Sequence, residues 1–113
     1  NGSQKKPYVY VNELISCMIF LSNRKTRFKI YLCGPTDTGV KVSKIANEVV
    51  RIFKSKKKII YGKTNYGWKG DVPNYNYNVS RLNKEGFKFK KTSLQAVQEA
   101  IRQNKLTLIN EKN

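Results

Sequence analysis

Apolar residues recur every three or four positions in the middle of the chain, which is the spacing of one face of an α-helix. The stripe consists of Ile45, Ala46, Val49, Val50 and Phe53. We expect Ser43 to cap this helix, because a serine hydroxyl can accept a hydrogen bond from a free backbone N–H of the first turn. The opposite face is expected to meet water. Its residues are Lys44, Asn47, Glu48 and Arg51.

An earlier segment is apolar around most of a helix rather than along one stripe. Asn12 can cap this helix. Its apolar residues are Leu14, Ile15, Met18, Ile19 and Leu21. A helix that is apolar on most sides is usually enclosed by other parts of a protein, so we expect this one to be buried.

Two further helices are predicted towards the end of the chain. A short helix spans residues 80–85 and ends at Gly86, because glycine readily adopts the left-handed conformation at which helices stop. Thr92 and Gln95 have the spacing of a capping box. The apolar positions that follow are Leu94, Val97, Ala100 and Ile101. Residues 105–113 are expected to fray or to form a small edge strand.

Short strands are predicted from runs of β-branched and aromatic residues at 8–11, 28–33 and 59–61. In the second run, Phe28, Ile30 and Leu32 share one face, because side chains alternate along a strand. The connections are too short and irregular for a doubly wound sheet. The sequence therefore predicts an α/β fold, a small module of short strands and about four helices.

The length of 113 residues fits one domain. We assign residues 1–6 to an N-terminal tail or cut end, residues 7–104 to the folded module and residues 105–113 to a C-terminal tail. No apolar run approaches the roughly 20 residues of a membrane span, and the N-terminus lacks the apolar core of a signal peptide. These features predict no membrane partner and a cytoplasmic location.

The balance of charges is strongly basic, with 23 lysines and arginines against 7 acids and a net charge of +16. A surplus of this size attracts phosphate, so nucleic acid is one candidate partner. The lysines are spread along the chain, and the run at 54–58 is interpreted as a solvated connection. Without histidine, and with Cys17 and Cys33 in separate apolar stretches, we predict neither a metal site nor a disulfide.

A glycine loop, residues 67–73, places an aromatic ring, a cation and a carboxylate on one turn. Gly67 and Gly70 permit close approach of a ligand to the backbone, and Pro73 fixes the direction in which the chain leaves. Asp71 is one of few acids in a basic chain, which indicates a specific acceptor such as one for sugar hydroxyls. Ordinary turn chemistry explains the same residues equally well.

Five segments, in order and with compatible spacing, resemble the C-terminal, substrate-binding region of the extended short-chain dehydrogenase/reductases. Residues 8–14, Tyr-Val-Tyr-Val-Asn-Glu-Leu, are similar to the family's Arg-Asp-Tyr-(Ile/Val)-(His/Tyr)-Val-Asp-Asp-Leu. Residues 70–73 and 78–81 resemble its Gly-Asp-(Val/Leu)-Pro and Asp-x-Ser-Lys pair. Residues 86–87 stand where Gly-Trp is usual, and residues 92–97 resemble the start of its last helix. Nucleotide-sugar epimerases such as UDP-glucose 4-epimerase are the nearest in pattern.

The resemblance implies a role for five residues in binding a nucleoside diphosphate sugar. Lys6 replaces an arginine that meets the diphosphate, which keeps the charge but loses the bidentate fork. Tyr8 matches a tyrosine near the same phosphates, and Asp71 matches the carboxylate that accepts ribose hydroxyls. Trp68 stands where the epimerases often have arginine, which favours stacking over phosphate contact, and Lys69 restores part of that charge.

The catalytic residues of the family have no counterpart in the chain. Neither its Gly-x-x-Gly-x-x-Gly loop nor its Tyr-x-x-x-Lys pair occurs. The resemblance therefore implies that the chain alone binds no cofactor and performs no hydride transfer, since that tyrosine and lysine carry the chemistry. NAD is expected in an N-terminal Rossmann domain of the same enzyme, which is then a partner of this module.

Two other classes of function remain open. In the first, a small nucleic-acid-binding protein contacts phosphates with its lysines and stacks unpaired bases on aromatic rings. The rings concerned are Tyr61, Tyr66, Trp68, Tyr75 and Tyr77. In the second, the fold serves only protein contacts, with the apolar first helix as the pairing surface. Packing between strand residues is the simpler interpretation of Tyr75 and Tyr77.

Overall fold

A computed structural model describes residues 1–25, 30–65, 67–68, 70–72 and 74–111. Within these ranges the chain is a small module of four helices and a two-stranded sheet. The helices are α1 (Val11–Ser22), α2 (Val42–Phe53), α3 (Ser80–Lys84) and α4 (Ser93–Asn110). The strands are β1 (Lys5–Lys6) and β2 (Val40–Lys41). The predicted mixture of short strands and about four helices is confirmed at this level.

The N-terminal residues pack against the middle of the chain. β1 pairs antiparallel with β2, with Lys5 opposite Lys41 and Lys6 opposite Val40. Just before β2, Gly39 has φ of 84°, and a side chain there would collide with the backbone of Lys6. Glycine is thus required where the two segments meet.

The start of α2 differs from the prediction because the cap comes from distant backbone. The helix begins at Val42 with Lys41 as N-cap, so Ser43 lies inside the first turn. Val42 N and Ser43 N donate to the carbonyl oxygens of Gln4 and Gly2 at 2.9 Å each. The N-terminal segment therefore satisfies the free N–H groups of the helix without a side-chain cap.

Glu48 of α2 is buried, although the helical pattern predicts that it faces water. Glu48 was predicted to face water but is 3% exposed, because Gln98 of α4 covers it. Its carboxylate receives hydrogen bonds from Arg51 Nη2 at 2.6 Å and Gln98 Nε2 at 3.0 Å, and Lys44 Nζ lies 3.1 Å from Oε1. A charge removed from water in this way needs such partners.

Most of the predicted strands are not formed among the described residues. Residues 8–10 lead in extended form directly into α1, whose N-cap is Tyr10 rather than Asn12. Residues 59–61 pair with no strand, and Ile60 is 93% exposed. Residues 30–33 are also irregular, and Phe28 and Lys29 lie outside the described residues. A strand needs a neighbour to satisfy its backbone, and composition alone does not provide one.

The helices at the C-terminal end follow the sequence pattern more closely. α3 ends at Lys84 with Glu85 as its C-cap, and Gly86 follows with φ of 94°, as predicted. The capping box of α4 is complete, with Thr92 accepting from Gln95 N and Gln95 accepting from Thr92 N. α4 nevertheless continues to Asn110, so residues 105–110 are helical where fraying or an edge strand was expected.

Besides Val40, Ala96 and Val97, which are buried elsewhere, the described residues form a buried apolar cluster between α1 and α3. Cys17, Val79 and Leu82 are buried there. Partly buried residues surround them, namely Leu21, Tyr31, Cys33, Tyr77, Phe87 and Phe89. The prediction that α1 is buried on most sides is wrong for the described structure, because only the face bearing Cys17 is covered. An exposed apolar face of α1 remains, formed by Val11, Ile15, Met18 and Ile19.

The chain exposes more surface than a compact protein of its mass. Its accessible area is 8623 Å², whereas about 6,400 Å² is expected at 13.1 kDa. The Cα radius of gyration is 16.7 Å, against about 13 Å for a compact domain of 100 residues. Among the described residues, none of the helices combines the length and apolarity needed to cross a membrane.

Candidate functional site

The centre of the candidate site is an ion pair between β1 and the glycine loop. Lys6 Nζ lies 2.5 Å from Asp71 Oδ1, and the side chains are 28% and 9% exposed. The hydrogen bond to Asp71 raises the pKa of Lys6 above its ordinary value. The same bond, followed by one from the backbone of Gly67, lowers the pKa of Asp71. Both side chains are therefore charged at neutral pH.

The second oxygen of Asp71 is also hydrogen-bonded. Oδ2 accepts from Gln4 Nε2 at 2.9 Å and from Gly67 N at 3.1 Å. Three donors from two segments thus hold the carboxylate, which fixes the glycine loop against the N-terminal segment. The sequence gives no sign of this role for Gln4, because it depends on a contact between residues 67 positions apart.

Tyr8 lies close enough to Lys6 for the two groups to interact electrostatically. Burial raises the pKa of the Tyr8 hydroxyl, while the charge of Lys6 opposes this and Tyr75 adds to it. The backbone is anchored as well, since Tyr8 N donates to Ser93 Oγ at 3.1 Å. The structure therefore brings Lys6, Tyr8 and Asp71 into one region, with Tyr75 as a further neighbour.

A cavity of about 270 Å³ is connected to this region through Tyr75, whereas Lys6, Tyr8 and Asp71 are not among its lining residues. It is lined by Lys5, Thr38, Asn74, Tyr75 and Asn76. The wall is ordered, because Lys5 pairs with Asn74 in a parallel bridge and its Nζ donates to Thr38 Oγ1 at 2.6 Å. The alternation of asparagine and tyrosine at 74–78 is the sequence signal for this wall, and the rings of Tyr75 and Tyr77 also pack edge to face with centroids 5.6 Å apart.

Trp68 occupies the exposed tip of the glycine loop. Its side chain is 69% exposed, and a hydrogen bond from Asp71 N to Trp68 O at 3.0 Å closes the turn. The indole ring lies against Gly70, where it leaves no room for a Cβ atom. Lys69, the fifth predicted ligand residue, lies outside the described residues.

This region presents groups that can donate and accept hydrogen bonds. It offers an ammonium group, a carboxylate, a phenol and two carboxamides, which suit a ligand with both phosphate and hydroxyl groups. In the part of the chain that the structure describes, no three histidine, cysteine or acidic side chains converge as metal ligands.

Comparisons with known proteins add no assignment. No protein-family model matches the chain, and no curated protein matches it.

Proposed function

We propose that this chain binds a nucleoside diphosphate sugar as the C-terminal, substrate-binding part of an NAD-dependent nucleotide-sugar epimerase or dehydratase. The observation that carries the proposal is the contact between Lys6 and Asp71. These residues match the family's diphosphate-binding cation and ribose-binding carboxylate, and they meet in the fold although 65 positions separate them. NAD binding and hydride transfer are assigned to an N-terminal Rossmann domain of the same enzyme.

Ligand binding on this proposal exchanges one ion pair for two new contacts. Lys6 retains exposed surface, so its ammonium can turn to a phosphate oxygen. Asp71 Oδ1 then becomes free to accept from a ribose hydroxyl, while Gln4 and Gly67 keep Oδ2 in place. Two charge-assisted hydrogen bonds to the ligand then replace the one between Lys6 and Asp71.

The remaining polar groups suit the rest of such a ligand. Asn74 and Asn76 present carboxamides to the cavity beside Tyr75, and carboxamides both donate to and accept from hydroxyl groups. Trp68 offers an exposed ring for stacking on a base or sugar.

The exposed apolar surface of the module supports the proposal that a partner domain packs against it. A face of α1 with four exposed apolar side chains is unusual for a separate soluble protein, and the total accessible area is about a third above that of a compact chain. A Rossmann domain packed against α1 would cover this face.

The test is thermal unfolding of the chain with UDP-glucose and TDP-glucose. Because a protein of charge +16 attracts any polyanion, inorganic pyrophosphate is the reference ligand. We expect both nucleotide sugars to raise the Tm in a saturable way and by more than pyrophosphate does at equal concentration. Equal Tm shifts from pyrophosphate and the nucleotide sugars would contradict the proposal, because non-specific charge attraction would then explain the binding.

Two pairs of variants with matched charge sharpen the test. Lys6→Gln is expected to abolish the nucleotide-sugar shift, and Lys56→Gln, at an exposed position of the lysine run, to retain it. Asp71→Ala is expected to lose the nucleotide-sugar shift but keep the pyrophosphate shift, since it leaves Lys6 in place. Glu111→Ala makes the same change in net charge at an exposed position and serves as its control.

Binding of single-stranded nucleic acid is the second candidate, and the exposed rings of Trp68 and Tyr61 favour it. Base stacking on such rings contributes about 1–3 kcal/mol per base. On this alternative, the affinity for oligonucleotides depends steeply on salt concentration, and Trp68→Ala lowers that affinity. Nucleotide sugars would then leave the Tm unchanged.

A further inference from the structure

The two cysteines of the chain lie side by side in the folded protein. Cys17 Sγ of α1 and Cys33 Sγ are 3.8 Å apart, and both are free thiols. They are 16 positions apart in the sequence, in stretches whose patterns gave no sign that they meet.

The two thiols differ in access to solvent. Cys17 is completely buried, against Val79 and Leu82. Cys33 is half-buried at the edge of the same core, and its thiol lies 4.0 Å from the carbonyl oxygen of Tyr31. Of the two residues, Cys33 is therefore the more accessible to a small reagent.

We propose that Cys17 and Cys33 are an oxidative modification site, at which a small disulfide such as oxidised glutathione converts the two thiols into a reversible intramolecular disulfide. The bond would link α1 to residues 30–33, which are irregular in the structure. The inference is independent of nucleotide-sugar binding, because neither cysteine belongs to the site around Lys6 and Asp71.

The reaction takes two exchange steps. The Cys33 thiol loses its proton to solvent, and its sulfur attacks one sulfur of oxidised glutathione, breaking that S–S bond and releasing one glutathione thiolate. The Cys17 sulfur, after losing its proton, attacks Cys33 Sγ and releases the second glutathione. Two protein thiols are oxidised, and one glutathione disulfide is reduced to two thiols.

The second step is expected to be the slower one. Burial, followed by the neighbouring Cys33 thiol, raises the pKa of Cys17 to about 12, so little of it is present as thiolate at neutral pH. The mixed disulfide between Cys33 and glutathione should therefore accumulate before the intramolecular bond forms.

The native fold favours the bond because it already holds the sulfurs near contact. Closing the gap to the roughly 2.05 Å of a disulfide takes a small local adjustment, and no regular strand holds residues 30–33. Since folding then raises the effective concentration of one thiol at the other, the disulfide must stabilise the folded state by the same factor.

The test is equilibration of the full chain in glutathione buffers of graded redox ratio, with and without denaturant. Mass spectrometry is expected to find the loss of two hydrogens and a linked peptide pair containing Cys17 and Cys33, both reversed by dithiothreitol. The effective thiol concentration should be at least about tenfold higher in the native protein than in the denatured chain. The oxidised protein should melt roughly 10 °C higher than the reduced one.

Variants identify the order of the steps. Cys17→Ala is expected to stop at a stable mixed disulfide on Cys33, and Cys33→Ala to remain unmodified while folded. The wild-type measurements decide the matter even if Cys17→Ala fails to fold. A stable glutathione adduct in the wild-type protein, disulfide-linked dimers, or an oxidised form that melts at or below the reduced form would each overturn the proposal.

Discussion

Lys6 donates a hydrogen bond from Nζ to Oδ1 of Asp71 at 2.5 Å. This contact joins β1 to the glycine loop, and Gln4 and Gly67 add donors to the other carboxylate oxygen. The arrangement serves two purposes on our proposal: it positions the binding groups, and it fixes the loop in the absence of a ligand.

Removing the Asp71 carboxylate should destabilise the unliganded protein more than removing the Lys6 ammonium group. Asp71→Ala leaves Lys6, Gln4 and Gly67 without their acceptor, whereas Lys6→Gln leaves the carboxylate with two donors. We therefore expect a lower Tm for Asp71→Ala than for Lys6→Gln at pH 7. Equal losses in the two variants would mean that the carboxylate acts only through the ion pair.

The same carboxylate predicts a dependence on pH. Its pKa in the folded protein is lowered from 3.8, chiefly by the hydrogen bond from Lys6. Its contribution to stability is present above the unfolded value and is lost as the pH falls through the lower folded value. The difference in Tm between wild type and Asp71→Asn should accordingly shrink on acidification below about pH 4, measured by thermal unfolding.

The stabilising effect of Glu48 should be lost over a wider range of acidic pH than that of Asp71. Hydrogen bonds from Arg51, then Gln98 and Lys44, lower its pKa from 4.5 to about 2. Its stabilising effect is complete above the unfolded value and disappears as the pH falls to about 2. Glu48→Gln should lower the Tm at pH 7, and the two melting curves should converge near pH 2. Glu99→Gln, at a more exposed ion pair of α4, is the control and should change the Tm less.

Leu82 tests where the core lies. It is 1% exposed between α3 and α1, so Leu82→Ala should cost about 2–5 kcal/mol of unfolding free energy. Leu106→Ala makes the same change at an exposed position of α4 and should stay within about 0.5 kcal/mol. Urea titration of both variants measures the difference, and similar values would contradict the assigned core.

Removing the capping box of α4 should lower the unfolding free energy by less than Leu82→Ala does. Thr92 accepts a hydrogen bond from Gln95 N, and Thr92→Ala should cost about 1 kcal/mol by removing that cap. Among its described contacts, the Thr107 hydroxyl donates only to the Gln103 carbonyl of its own helix, so Thr107→Ala should be neutral or slightly stabilising. Urea titration compares the two, and a neutral Thr92→Ala would show that α4 does not depend on its cap.

The features predicted correctly from sequence are those that depend on near neighbours. The capping pair of Thr92 and Gln95 and the stop at Gly86 each involve a few consecutive residues, and both are present. The strand predicted at 59–61 needed a partner from elsewhere in the chain, and the described structure supplies none. The buried position of Glu48 likewise depends on Gln98, 50 positions away.

The candidate site was predictable only in outline. The resemblance predicts that Lys6 and Asp71 contact the same ligand; the two side chains are in contact with each other, and their ligand role stays a prediction. The motifs could not reveal that Gln4 would complete the carboxylate's hydrogen bonds, since this depends on β1 lying beside the glycine loop. The proximity of Cys17 and Cys33 escaped prediction for the same reason, because α1 must first pack on the core.

Gly39 limits how this sequence can diverge. Any larger residue there would force β1 away from β2, and Lys6 would move with it, so a change distant in sequence would disturb the contact between Lys6 and Asp71 through the backbone. Gly62 has open space around its α-carbon and carries no such constraint. In a randomised library selected for folding, position 39 should therefore return almost solely glycine, and position 62 a broad range of amino acids.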